Sequence, residues 1–287
     1  MPSISILAPA KINLTLEVLG RRPDGFHALR SVMQVIALAD RLTVEPADTL
    51  SLTCSLPELE SAQNLVWRAA ELLRRETGTT AGARIFLQKV IPVAAGLGGG
   101  SSDAASALLA LDRLWDLRLP RDRLLELGAR LGSDVPFFLG ETGCALVEGR
   151  GEHLSPLPDL APRWVVLVRP PQPLSTAVVF GAFPPARWSD GARTGAWIAA
   201  SEGGRRVPPP FNYLEPVALE LAPAARTARD ALRAAGGEAL ALSGTGPTVF
   251  ALFEEEALAR EAFARLGERY APGTGAILSR FGSLAEA

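Results

Sequence analysis

The chain reads as an α+β protein of two domains, and three features of the sequence predict this. Its 287 residues are enough for two domains of ordinary size, and a hydrophobic content of 48% can fill their cores. The opening fifty-odd residues are strand-like, whereas the rest mixes helical and strand periodicity. Between about 150 and 165 the sequence turns to Pro, Gly and charge, "GRGEHLSPLPDLAPR", so the division is placed at 1–155 and 156–287.

Taken in order, "SISILA", "INLTLEVLG", "VMQVIAL", "RLTVEP" and "TLSLTCS" read as strands, several of them alternating apolar and polar positions. "GRRPDGFH" separates the second from the third with a Pro-Asp-Gly turn. In "NLVWRAAELLRRE", Leu65, Ala69, Leu72 and Leu73 share one helical face, and Asn64 is placed to cap it. "ARIFLQK" alternates as a strand and leads into "PVAAGLGGGSSDAA", beyond which Ala104, Ala105, Leu108, Leu109 and Leu111 recur at helical spacing, with Ser101, Ser102 or Asp103 available as cap. "RDRLLELGARLG" predicts another helix ending at Gly132, followed by "SDVPFFLG" as extended chain. In the second half come a strand "WVVLV", an irregular span near 181–210, helices within 214–235, strands "EALALSG" and "TVFALF", a helix "EEALAREAFARLGER" and a last strand "GAILSRF".

Composition removes several function classes. A net charge of −2 gives no basic field for nucleic acid or anionic lipid. No apolar run reaches the roughly 18 residues of a membrane span, and the N-terminus lacks the pattern of a signal peptide, so a cytoplasmic protein is expected. Cys54 and Cys144 are far apart, with His27 and His153 the only histidines, which reads as reduced core cysteines and no zinc site. Of 29 basic residues only Lys11 and Lys89 are lysine, which makes both candidates for places where a compact ammonium cannot be replaced by a planar guanidinium, chance retention being the alternative.

A strand, a glycine-rich turn and a helix N-terminus together aim free N–H groups and the positive end of the helix dipole at one point, where phosphate is the natural occupant. A Walker A loop is excluded, since Gly100 is followed by Ser101 with no lysine. A dinucleotide fingerprint would need serine in its third glycine position, and no strand ending in an acid follows. A turn that merely lets a helix approach a sheet leaves the two serines unexplained.

The stretch resembles the phosphate loop of the galactokinase, homoserine kinase, mevalonate kinase and phosphomevalonate kinase (GHMP kinase) superfamily, in its longer GLGGGSS form. Within it, "PAKINL" (Pro9–Leu14), "GRRPDGFH" (Gly20–His27), "SDVPFF" (Ser133–Phe138), "NYLEP" (Asn212–Pro216) and "LSGTGPTVF" (Leu242–Phe250) resemble the diphosphocytidyl-methylerythritol kinase family over nearly the whole chain. The resemblance implies an N-terminal ATP-binding domain like ribosomal protein S5 and a ferredoxin-like C-terminal domain completing a substrate cleft. It implies phosphorylation of the position-2 hydroxyl of the acceptor, by ATP and with Mg2+ whose ligands stay unassigned, in an enzyme of the non-mevalonate isoprenoid route. A monomer or weak homodimer, with no nucleic-acid or membrane partner, is expected. The alternatives are a homoserine- or mevalonate-type kinase, which lacks the "GRRPDGFH" turn, and a nucleotide-binding module without catalysis.

Residue by residue, the resemblance makes Asp134 the catalytic base and Lys11 the ammonium beside it, which keeps the carboxylate ionised and stabilises charge on the transferring group. Lys89, Pro92, Val93, Ala94, Ala95, Gly96, Leu97, Gly98, Gly99, Gly100, Ser101 and Ser102 become the nucleotide site. Phe26 and Phe180 become the rings that hold a cytosine, with His27 and Asn13 hydrogen-bonding nearby. Phe26 stands where the family has tyrosine, which keeps the stacking face and loses a hydroxyl. "GTGP" departs from the usual GSG, and Tyr213 stands where aspartate is common.

Overall fold

The computed structural model of the chain describes residues 3–267, 270 and 275–284. The first half holds β1 (Ile4–Asn13), β2 (Thr15–Arg21), β3 (His27–Ala47), β4 (Leu50–Cys54), α1 (Leu65–Thr77), β5 (Gly82–Gln88), α2 (Gly99–Leu114), α3 (Arg121–Leu131), the single-turn α4 (Val135–Phe138), β6 (Cys144–Gly149) and β7 (His153–Pro156). The second half holds β8 (Trp164–Val168), α5 (Thr176–Ala182), α6 (Ala192–Ala200), β9 (Phe211–Asn212), α7 (Glu215–Leu221), α8 (Pro223–Ala234), β10 (Ala239–Leu242), β11 (Val249–Phe253), α9 (Glu256–Gly267) and β12 (Ala276–Arg280).

Strand β3, 21 residues long, is the spine of the first sheet. Antiparallel β2 and then β1 run along one of its edges, and antiparallel β6 and then β5 along the other. The sequence predicts two strands here, broken near Asp40. They are continuous because the buried Asp40 carboxylate is fully used, accepting from Lys89 Nζ and from the N–H groups of Val90 and Ile91. Pro9 sits inside β1 at a register shift, the place in a strand where a missing N–H is tolerated. Helices α1, α2 and α3 cover one face of this sheet through Ala69, Leu73, Leu108, Leu111 and Leu127. Asn64 caps α1 as its sequence predicts, its Oδ1 accepting from Val66 N–H at 2.9 Å, and Gly78 closes the helix in left-handed backbone.

The second sheet is antiparallel in the order β10-β11-β8-β12. The unbroken apolar run of β8 follows from burial on both faces: Val166 and Val168 pack with Ala228 of α8 and Ala259 of α9, while Val165 and Leu167 pack against Ile12 and Ile36 of the first sheet. The two halves also share backbone bonds. β9 adds in parallel to β2, and Gly282 N–H reaches Val35 O at 3.0 Å beside a bridge between Ile36 and Phe281.

Three local expectations are corrected. Gly98, not a serine or Asp103, is the N-cap of α2, because left-handed backbone at Gly98 starts the helix earlier. "SDVPFF" turns into α4, with Asp134 in helical backbone at its N-cap, so the carboxylate lies at the favourable end of that turn. The span near 181–210 contains α6, whose start is fixed from outside: Thr194 N–H donates to the buried Glu17 carboxylate of β2 at 2.6 Å. The helix predicted at "EEALAREAFARLGER" runs to Gly267, and its last two residues lie outside the described ones.

Candidate active site

The loop from Lys89 to Gly98 joins β5 to α2, and Gly96 and Gly98 both have left-handed backbone, at φ 76° and 72°. A Cβ on Gly96 would stand 2.3 Å from Ser243 O, and one on Gly98 would stand 3.0 Å from Lys11 Cγ and Phe138 Cζ. Bare backbone at these two positions therefore lets the protein's own chain close in from several sides. Gly100 is different, since the nearest atom to its Cβ position is Leu65 Cδ1 at 3.7 Å. The glycine run serves protein packing as well as leaving space for a ligand. Lys11 N–H to Leu97 O and Ser243 Oγ to Gly96 O, each 2.9 Å, pin the loop between the halves.

Two cavities meet at this loop, and Gly96 and Gly98 line both. One, of about 340 Å³, is walled by every residue from Pro92 to Ser101 together with Lys89 and Asp103. The other, of about 800 Å³, brings together Lys11, Asn13, Phe26, His27, Asp134 and Phe180. Ser102 lines neither, being wholly buried in α2 with an unpartnered Oγ.

At the junction, Lys11 Nζ lies 3.5 Å from Asp134 Oδ2 and donates to Asn13 Oδ1 at 2.7 Å. Asn13 Nδ2 donates to Ser31 Oγ at 2.8 Å, and Ser31 Oγ donates to Thr15 O at 2.5 Å, so the ammonium is held by a buried polar chain across β1, β2 and β3. The Asp134 side chain remains 30% exposed toward the cavity, while that of Lys11 is 4% exposed. Gly244 faces the pair from the second half, its Cβ position 3.5 Å from both Lys11 Nζ and Asn13 Oδ1.

Lys89 is placed differently. Its ammonium, almost fully buried, bridges Asp40 and Asp103 Oδ2, the latter at 2.6 Å. Burial works to lower the lysine, and the two carboxylates outweigh it and hold the ammonium above its ordinary range. Burial pushes Asp103 up to about 7, against the downward pull of Lys89 and with the Asp40 charge acting in the same direction as burial. Asp40 and Asp103 escape a reading of the sequence for site residues. The signal present was a lone acid inside an apolar strand run, and only two lysines to answer it.

At the far end of the larger cavity Phe180 stacks on His27, with ring centroids 5.0 Å apart and planes 18° from parallel. Phe26 is half-exposed and carries the Arg150 guanidinium 5.3 Å from its ring centroid. Burial and then the charge of Arg21 lower His27 below its ordinary 6.5, which favours the neutral imidazole. The departure at "GTGP" has a local use: Thr245 shares a 3.0 Å hydrogen bond with Thr176 at the start of α5, the helix that carries Phe180.

Among the described residues no cluster of three or more His, Cys, Asp or Glu side chains is arranged to hold a metal. Asp103, the carboxylate on the smaller cavity, already has Oδ2 on Lys89. Its Oδ1 is buried without a hydrogen-bond partner, so this wall offers a magnesium ion at most one carboxylate oxygen and no cage of protein ligands among the described residues.

Comparison with known proteins shows the family. The model of the GHMP kinases N terminal domain matches residues 64–141 and that of the GHMP kinases C terminal domain matches 190–272. The chain is 46% identical to the 4-diphosphocytidyl-2-C-methyl-D-erythritol kinase of Pelotomaculum thermopropionicum, covering 91% of this chain and 93% of that protein. It is 45% identical to the protein of the same name from Symbiobacterium thermophilum, covering 92% and 94%. A crystal structure of 4-(cytidine 5'-diphospho)-2C-methyl-D-erythritol kinase superposes with a TM-score of 0.82 at 38% identity, over 97% of this chain and 99% of that one. A homoserine kinase from Cytophaga hutchinsonii, 18% identical with a TM-score of 0.70 over 98% and 95% of the two chains, shares the fold. With two adjoining cavities, a lysine–aspartate pair between them and this degree of identity along its length, the chain belongs to the 4-diphosphocytidyl-2-C-methyl-D-erythritol kinase family of the GHMP kinases.

Proposed function

We propose that the protein transfers the γ-phosphoryl group of ATP to the position-2 hydroxyl of 4-diphosphocytidyl-2-C-methyl-D-erythritol, in the non-mevalonate route to isoprenoid precursors. The observation that carries the reading is the Lys11–Asp134 pair on the wall of the larger cavity, with Lys11 against Gly98, a residue that lines both cavities. Residues 1–155 form the ATP-binding domain, and 156–287 complete the acceptor cleft.

ATP occupies the smaller cavity, its phosphates against the N–H groups at the start of α2, where the helix dipole favours negative charge. Asp134 accepts the proton of the acceptor hydroxyl as the oxygen attacks phosphorus. Lys11, fixed by Asn13, stabilises charge on the transferring group and keeps Asp134 ionised. Magnesium would enter with the nucleotide, screening phosphate charge, and no step assigned to these residues runs through it. Lys89 acts on the loop through Asp40 and Asp103. Phe26 and Phe180 offer flat faces to the cytosine, each worth about 1–3 kcal/mol by analogy with other base–aromatic contacts, and His27 and Asn13 offer polar atoms to its edges and to the acceptor.

No helix among the described residues is long and apolar enough to cross a membrane. The proposed setting is the cytoplasm, and the proposed state a monomer or weak homodimer. The test is ADP release with diphosphocytidyl-methylerythritol, mevalonate, homoserine and galactose. Turnover is expected with the first alone. Turnover with mevalonate or homoserine instead makes the protein a different alcohol kinase, and ATP binding without turnover of any makes it a nucleotide-binding module.

A further inference from the structure

Two cations on the wall of the larger cavity, Arg21 and Arg150, form no ion pair among the described residues. The charges around them are already matched. Arg22 holds Asp24 at 3.0 Å and Glu152 at 3.1 Å, and Arg30 holds Glu148 at 3.3 Å. Asp24, the acid whose field Arg150 reaches, is engaged by Arg22 and by the Phe26 N–H.

The position of Arg150 is fixed by its backbone. Its N–H donates to Glu152 Oε2 at 2.5 Å, and the same carboxylate pairs with Arg22 through Oε1. The next residue, Gly151, presses on the chain beside the proposed base, a Cβ there meeting Ser133 O at 2.7 Å. Arg150 thus sits on the wall with its guanidinium over the Phe26 ring, while the next residue, Gly151, lies against Ser133, the neighbour of Asp134. Arg21 is the cross-strand partner of His27, at the end of the cavity where Phe180 stacks.

We propose that Arg150, with Arg21 beside it, forms a diphosphate subsite that grips the non-bridging oxygens of a nucleoside diphosphate ester between its base and its alcohol. A guanidinium fork matches phosphate oxygens bidentately, and a fork with no carboxylate to release gives up no ion pair on binding. The inference deepens the acceptor reading and rests on it.

Its test is a calorimetric titration of cytidine and of CDP, at fixed ionic strength and with the ATP site saturated by a non-hydrolysable ATP analogue. The wild-type protein should prefer CDP by about 10- to 100-fold, the range of hydrogen bonds to charged groups. Arg150→Met should remove about tenfold of that preference and Arg21→Met a smaller part, with ATP affinity unchanged in both. A wild-type protein that binds the two ligands equally, or a double variant that keeps the full preference, overturns the subsite. If the wild type turns over the acceptor while the double variant keeps its preference, the subsite alone is wrong. If no turnover is seen in the wild type, the acceptor reading fails, and the CDP-to-cytidine ratio still decides the subsite.

Discussion

Lys11 and Lys89 reach the loop 90–98 from opposite sides, one through its N–H bond to Leu97 O and the other as the residue that opens the loop. Their ammonium groups are held in different ways. Lys89 has two carboxylates, Asp40 and Asp103, both shut away from water. Lys11 has one, Asp134, with 30% of its side chain exposed to the cavity where a substrate would lie. A charge whose partners are all buried has little left to offer a ligand, whereas a charge whose partner faces open space can follow a proton as it moves. The disposition of counter-charges, more than the lysines themselves, separates structure from chemistry here.

The sharpest way to break this contrast is at the exposed carboxylate. Asp134→Asn is expected to lower kcat by about 10²–10⁴ while leaving the KM for ATP and the melting temperature nearly unchanged. Normal turnover in that variant would remove Asp134 from the mechanism. On the other side, Lys89→Met strands two buried acids and should cost about 3–5 kcal/mol in urea unfolding. Lys11→Met should cost closer to about 1 kcal/mol, through an unpaired Asn13 Oδ1, and reversal of that order would undo the comparison. Lys11→Arg keeps the charge but needs room that Gly98 and Gly244 do not leave, so activity should fall by about tenfold or more; a fully active arginine variant would show that a point charge is not required.

The smallest effect concerns His27, whose pKa is lowered by burial first and by Arg21 second. In the window below 6.5 the unfolded chain binds the proton that the folded one refuses, so stability rises with pH there. Acceptor KM should be flat from pH 8 to 6.5 and increase only below, and His27→Gln should remove the dependence; a KM that already rises at pH 7.5 would mean that the imidazole is not kept neutral.

Local patterns made much of the fold legible. Alternation in the opening strands, the Asn64 cap and the glycine spacing before α2 are all decided by neighbours within a few positions. What stayed hidden was decided across space. Nothing near "IALADRL" says that Asp40 will be answered by Lys89, and so nothing says that the strand continues through it. The start of α6 is set by Glu17 from another strand. Arg150 is one arginine among many, and only the fold brings it over Phe26. The pairing of Lys11 with Asp134 was carried by likeness to a known pattern, since the two lie more than a hundred residues apart and no spacing joins them.

The two-residue strand β9 has a mechanical consequence. Asn212 donates through Nδ2 to Leu242 O at 2.9 Å and Gly244 O at 2.7 Å, while the backbone around it joins β2 by bonds from Phe211 N–H to Leu14 O at 3.0 Å and from Tyr213 N–H to Leu16 O at 2.9 Å. The loop that faces Lys11 is therefore anchored to the first sheet through a single side chain. With Gly282 fastened to Val35, Ser189 to Val18 and Thr194 to Glu17 as well, the seam between the halves is stitched at several separate places. α5 and Trp188, which rim the acceptor end of the larger cavity, thus belong to a half bonded to the first sheet at several places, so the two walls that an acceptor would meet are held in register with each other.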